Sequence, residues 1–191
     1  MAAISVPTAE RIRAHAAHEA FGGPLISNIY RGLIAEIIVS EALGADWDMC
    51  SGDWRGWDFQ HRDGCRLEVK QTAARQTWTA SRAATKPKFD IRTRTGYFEG
   101  ADWVADPRRF ADIYLFAYHP IFNDTADHCD PRQWRFHVIM SNRLPPGKTI
   151  SLSKIAPLSE QLAWENLGEA VETLRLLSVK VENRHEESQT L

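Results

Sequence analysis

Nothing in the sequence approaches the run of about twenty apolar residues that a membrane-spanning helix needs. The opening stretch, MAAISVPTAERIRAHAAHEAFGG, lacks the basic-then-apolar order of a secretory leader. A cytoplasmic protein without membrane contact is therefore expected. Cysteine is scarce as well. Cys50, Cys65 and Cys129 are too few and too scattered for a disulfide framework, and no Cys-x-x-Cys pair suggests structural zinc, so buried thiols are expected. The His128-Cys129 pair lacks companion ligands, and zinc is not expected there. Internal repeats are missing too. What is present, 191 residues at 43% hydrophobic content, is enough for one good core and argues against two independent domains, so a single domain over residues 1–191 is expected.

A net charge of −2 offers little to a polyanion until the chain is divided. Residues 62–95 hold nine basic side chains (Arg62, Arg66, Lys70, Arg75, Arg82, Lys86, Lys88, Arg92 and Arg94) against three acidic ones. The remainder holds fourteen basic against twenty-two acidic. A basic segment on an acidic body is the asymmetry expected where one face meets nucleic acid; a solvated loop is the plainer alternative.

Local patterning predicts the elements. Residues 8–20 are alanine-rich and stop at Gly22-Gly23-Pro24, which predicts a first helix. In SNIYRGLIAEIIVSEALG, Ser27 or Asn28 can cap a second helix, with apolar positions at Ile29, Leu33, Ile34, Ile37 and Ile38 and a stop at Gly44. That wide arc predicts burial on several sides, with Glu36 at its edge near the interior. Two strand-like runs flank Arg62-Asp63-Gly64, a hairpin signal. A two-residue turn at Asp63-Gly64 would set Asp58 opposite Val69. A three-residue loop with Gly64 left-handed would set Asp58 opposite Glu68. Both registers are open to the sequence. Residues 72–109 show aromatics without a period and read as irregular, a basic substrate-binding lobe with at most a short helix. The runs at 111–119 and 133–140 are strands, and a helical segment is expected over 157–180, followed by a frayed tail.

The stretch GWDFQHRDGCRLEVKQTA places charge where half-buried strands carry apolar residues. In a strand Glu68 and Lys70 share one face while Leu67, Val69 and Gln71 point to the other. With Asp58 beside them, two close carboxylates repel and call for a cation. Hard oxygen ligands suit Mg²⁺ or Mn²⁺, and an adjacent ammonium can neutralise charge on a phosphate or orient a water. This equipment suits phosphodiester hydrolysis. Glu68-Val69-Lys70 is the one Glu-x-Lys triplet in the chain, and a helix carrying Glu36 precedes it. The alternative is an ion pair on a solvent-facing strand.

With RGLIAE on the helix, GWDF on the first hairpin strand and LEVKQTA on the second, the sequence resembles the PD-(D/E)xK nuclease superfamily. The match covers about residues 27–140 and looks closest to restriction-endonuclease-like bacterial members. Trp57 stands where the family's name has proline. The resemblance implies an α/β fold with a restriction-endonuclease-like core, a mixed central β-sheet flanked by helices. It implies Asp58 and Glu68 as metal ligands, Lys70 as the catalytic lysine and Glu36 as the helix acid. The resemblance implies nuclease chemistry without naming a substrate; a Mg²⁺-dependent DNA endonuclease, restriction-like or repair-like, is expected, with action on branched or single-stranded nucleic acid as a second reading. A homodimer would follow, because cutting both strands of a duplex needs two symmetry-related sites. A non-catalytic nucleic-acid-binding or accessory protein is the alternative. Gln71, Gln76, Trp78, Ser81 and Arg82 are candidate nucleic-acid contacts. Against that, Trp78 reads better as plain core, and Gln71 reads equally as a buried amide. His61, beside the turn, reads as a surface imidazole.

Overall fold

The structure, a computed structural model, describes residues 6–50, 55–78, 86–99 and 101–189, with the backbone alone for 99 and 179–189. It is a mixed α/β fold with a mixed sheet and few helices. Helices α1 (Ala9–Phe21) and α2 (Asn28–Ser40) lead into strands β1 (Trp47–Met49), β2 (Phe59–His61) and β3 (Arg66–Ala73). After β4 (Lys88–Asp90), β5 (Arg94–Glu99) and β6 (Asp102–Arg108) come the two long strands β7 (Ile113–His119) and β8 (Arg135–Met140). Strand β9 (Thr149–Ser151), the short α3 (Leu152–Ile155) and α4 (Leu167–Gln189) complete the chain. No helix among the described residues is long and apolar enough to cross a membrane.

The main sheet runs β1-β2-β3-β7-β8, with β3 and β7 parallel and every other neighbour antiparallel. Strand β7, IYLFAYH, lies inside the sheet and is buried on both faces, as its continuous apolar run predicts. On one face, α2 and α4 cover Phe59, Leu67, Val69, Leu115, Phe136 and Val138. On the other, Phe116 and Ile139 pack with Phe89 of β4 and Ile150 of β9, which pair as a separate two-stranded sheet. One strand can serve two different layers because its side chains alternate.

The hairpin register is settled by three residues. His61 N–H donates to Cys65 O at 2.8 Å, and Gly64 N–H donates to His61 O at 2.9 Å, so Arg62-Asp63-Gly64 form a three-residue loop. Gly64 sits at φ +97°, left-handed backbone that a Cβ disfavours. Pairing 61 with 65 carries Asp58 opposite Glu68, the second of the two registers. Space beside Gly64 is open, so Gly64→Ala is expected to lose about 1–2 kcal/mol through backbone strain alone. Urea unfolding of that variant checks the figure.

Several expectations are corrected. Residues 72–109 hold β4 and the β5–β6 hairpin, and no helix occurs among the described residues of that stretch. The period-2 signal was hidden because the ladder shifts register between Arg94 and Gly96, near Pro107, which cannot donate to a ladder. Helix α2 is not buried on several sides. Its inward face is Arg31, Ala35, Ile38 and Val39, while Ile29, Leu33 and Ile37 remain exposed. The C-terminal helix starts at Leu167, ten residues after the expected 157, and runs through the expected frayed tail to Gln189. Cys129 is exposed, unlike the buried Cys50 and Cys65. His61 is buried, T-stacked on Trp47, with its Nδ1 2.7 Å from Asp63 Oδ1.

A buried polar cluster ties the segment before α2 to the loop between β7 and β8. His128 Nδ1 accepts the Ile26 N–H at 2.9 Å, and His128 N–H donates to Pro24 O at 2.8 Å. Burial, then the nearby His119 and Arg31, lowers the His128 pKa to about 4. Burial lowers His119 in the same direction. An unfolded histidine titrates near 6.5, so between about 6.5 and 4 the unfolded chain binds more protons than the folded one. The stabilisation is thus complete above pH 6.5 and is lost as pH falls toward 4. The raised Asp58 carboxyl acts the opposite way over this range, so the His128 contribution is read against His128→Gln: the wild-type advantage in urea midpoint is expected to shrink between pH 7 and pH 5 by the equivalent of on the order of 2 kcal/mol.

Candidate active site

Asp58 immediately precedes β2, and the hairpin ladder holds it in place. Its backbone N–H donates to Leu67 O at 3.0 Å. Its carboxylate Oδ2 accepts the Val69 N–H at 2.7 Å, the amide that lies between Glu68 and Lys70 in sequence. The acid is thereby pinned to the middle of the Glu-x-Lys triplet. Burial pushes the Asp58 carboxyl up to about 7, and the charges of Glu68 and Glu36 push the same way against the Val69 N–H and Lys70. Glu36, on α2, therefore bears on the same locus from the helix. Glu68 and Lys70 are in contact, and Asp58 lies within the charge of Glu68, Glu36 and Lys70.

Glu68 is only 2% exposed. Its Oε1 accepts from Lys70 Nζ and, at 3.2 Å, from Arg94 Nη2. Its Oε2 is buried and has no hydrogen-bond partner among the described residues. A carboxylate oxygen stripped of water and left unpaired costs about 1–3 kcal/mol or more. Such an oxygen is open to a further partner, a water or an ion among them. Tyr114, which pairs with Glu68 across the parallel β3–β7 ladder, has its phenol pushed up to about 12 by burial and then by the Glu68 charge. It therefore stays neutral beneath the carboxylates. Asp90 of β4 lies close enough to Lys70 to feel its charge. No group of three or more His, Cys, Asp or Glu side chains arranged to hold a metal ion occurs among the described residues.

Arg94, at the start of β5, reaches this site although the sequence offered only its charge. Its sequence separation from Glu68, 26 residues, hides the contact. Arg31 was also missed. It sits on α2 at 1% exposure, and burial lowers its pKa to about 10. Its Nε donates to Gln71 Oε1, Nη1 to Gln76 Oε1 and Nη2 to Asn28 Oδ1, each at 2.7 Å. Gln71 thus points to the helix face, as strand alternation predicts, and both glutamine oxygens are taken up by Arg31. Spacing alone gave no signal for this cage, because its members come from a helix, a strand and the turn after it.

Trp78 is 68% exposed, so it is not core. Its position near the surface leaves it accessible to a ligand. Ser81 and Arg82 lie outside the described residues. His61 lies on the helix-covered face with Phe59, away from Glu68. It lines a separate groove of about 570 Å³ with Glu41, Asp46, Glu165, Glu169 and Arg175. That lining is predominantly acidic and would repel a polyanion.

No protein-family model matches the chain, and none of the curated proteins matches it. What the arrangement can do chemically rests on its own residues. The charges of Glu68 and Glu36 bear on the Asp58 carboxyl, one Glu68 oxygen has no partner among the described residues, and Lys70 and Arg94 flank that buried acid.

Proposed function

We propose that this protein is a metal-dependent nuclease with a PD-(D/E)xK, restriction-endonuclease-like core, hydrolysing phosphodiester bonds in DNA. The observation that carries the reading is the buried Glu68 Oε2 without a partner among the described residues, on a carboxylate that Lys70 holds through Oε1 and whose charge, with that of Glu36, bears on Asp58. An order of helix, acid-bearing hairpin and further strands in a mixed sheet supports it, as the resemblance implies.

The residues fit a divalent cation. Asp58 and Glu68 would hold it, since each offers carboxylate oxygen and their mutual repulsion falls when positive charge is shared between them. When bound, Mg²⁺ or Mn²⁺ supplies Lewis-acid stabilisation of charge on a phosphate oxygen. Lys70 stands ready to orient a water or neutralise charge building on the phosphorus, provided that it leaves Glu68. Arg94 competes for the same Glu68 oxygen and can move to a phosphate once the carboxylate has another partner. Tyr114, paired with Glu68 across the β3–β7 ladder, stays a neutral group beside it. Glu36 deepens the negative potential that attracts the cation.

The test is cleavage of supercoiled plasmid, linear duplex and single-stranded DNA with Mg²⁺ or Mn²⁺, comparing wild type with Glu68→Gln and Lys70→Ala. Metal-dependent cutting that both substitutions remove supports the reading. Tight DNA binding without cutting by pure wild type would replace it with the accessory-protein reading.

A further inference from the structure

We infer that the β5–β6 hairpin is a stacking platform for unpaired bases, so that the strand delivered to Asp58, Glu68 and Lys70 is single-stranded or locally unpaired. This rests on the nuclease reading and names its substrate class.

Phe98 and Trp103 face each other across the ladder, their ring centroids 5.1 Å apart and their planes at 69°. Such a pair stabilises a hairpin, yet these rings remain 45% and 51% exposed. The neighbouring pair behaves differently. Tyr97 turns inward and packs on buried Phe110 at 5.2 Å, and Arg108 lies over the Phe110 ring at 4.9 Å, so the hairpin is anchored to the body by one face. The aromatic face is left outward. Gly96 holds the indole in place. A Cβ there would collide with Val104 O and would meet Trp103 Cζ2 at 2.7 Å, so the ring lies against the strand where only glycine fits.

Strand alternation puts Gly96 and Phe98 on one side of β5, with Arg94 beyond the register shift at the start of the strand. From Arg94, which touches Glu68, to Phe98 is about 13 Å along the strand at ~3.3 Å per residue. A groove of about 370 Å³ joins the two ends, lined by Arg92, Arg94, Thr95, Tyr97, Phe98 and Trp103. Arg92 is paired with Asp90 at 2.8 Å and Arg94 with Glu68 at 3.2 Å, so Arg94 is the guanidinium of this groove that stands at the site. Guanidinium at one end and open rings at the other match a strand whose backbone runs toward Glu68 and whose bases lie on the hairpin.

A β-ribbon can also enter the major groove of a duplex, but there it reads base edges with polar side chains. This ribbon also exposes the two rings of Phe98 and Trp103. Rings recognise base faces, and a duplex hides those faces except at its ends.

The experiment measures fluorescence anisotropy of a labelled single strand of about 15 nucleotides, within the span that one such binding fold covers, and of the blunt duplex of the same sequence, both in EDTA. Wild type, Phe98→Ala, Trp103→Ala and Trp103→Phe are compared, with circular dichroism melts as the folding control. Expected is preference for the single strand, a loss of about ten- to a hundred-fold in that affinity for each alanine variant, and near wild-type affinity for Trp103→Phe. Tighter binding of the duplex, or alanine variants that bind the single strand like wild type, would overturn the proposal. Should an alanine variant fail to fold, the wild-type preference and Trp103→Phe decide it. Binding without metal is independent of cutting. Ring-dependent single-strand binding by a protein that never cleaves keeps the platform and rejects the nuclease, whereas ring-independent cleavage of duplex does the reverse.

Discussion

Glu68→Gln and Lys70→Ala are each expected to lower metal-dependent cleavage by about 10²–10³-fold or more, the range seen when a single group that stabilises transition-state charge is removed. The two variants should differ in metal affinity. Glu68 contributes the orphaned oxygen, so its replacement by an amide should lose cation binding measured by calorimetry; Lys70→Ala should keep it. Folding is not the cause in either case. The amide introduced by Glu68→Gln retains an oxygen to accept from Lys70 and Arg94, and Lys70 is part-exposed, so urea midpoints should stay near wild type. Removing one carboxylate also relieves the neighbouring acid. The Asp58 carboxyl, pushed up by burial and by Glu68, should titrate lower in Glu68→Gln. Full cleavage by either variant would remove this site from the reaction.

Trp134→Ala is the substitution expected to cost the most stability, about 3–5 kcal/mol. The indole is fully buried and packs T-shaped on His119 at 5.2 Å, and it belongs to the cluster of Phe136, Leu167 and Val171 that seals the sheet under α4. Its Nε1–H donates to His128 O at 3.0 Å. Truncation would leave a cavity and take a donor from a buried carbonyl together. Urea unfolding should show a lower midpoint with an unchanged slope. Trp78→Ala is the internal comparison, expected to change stability by less than about 0.5 kcal/mol because that ring stands in solvent. A loss of under about 1 kcal/mol at Trp134 would contradict this account of the core.

Some of the site was legible because local rules produce it. Alternation in a strand put Glu68 and Lys70 on one face, helical angle put Glu36 near the interior, and glycine at position 64 made the three-residue loop available. The two long strands were legible from β-branched and aromatic runs, observed as Ile113–His119 and Arg135–Met140. Other parts have no local signature. Ile29, Leu33 and Ile37 look like core positions from spacing, but which arc of a helix is covered depends on what packs there. Arg31, flanked by polar and apolar neighbours alike, took the inward place by gathering three amide oxygens. The Phe98–Trp103 pair was invisible as a strand signal because a register shift breaks the alternation on which that signal depends.

The sequence by itself determined the order of the main elements, the face shared by Glu68 and Lys70, and the confinement of excess positive charge to residues 62–95. Periodicity and composition act over a few residues and need no partner. Only the tertiary structure decided that Asp58 lies opposite Glu68 rather than Val69, that Arg94 reaches across 26 residues to the same carboxylate, and that one oxygen of Glu68 is buried without a partner among the described residues. Those outcomes depend on register and on long-range packing. A one-residue slip in a strand reverses every side chain on it, and no local preference is strong enough to exclude that slip until both faces of the sheet are covered.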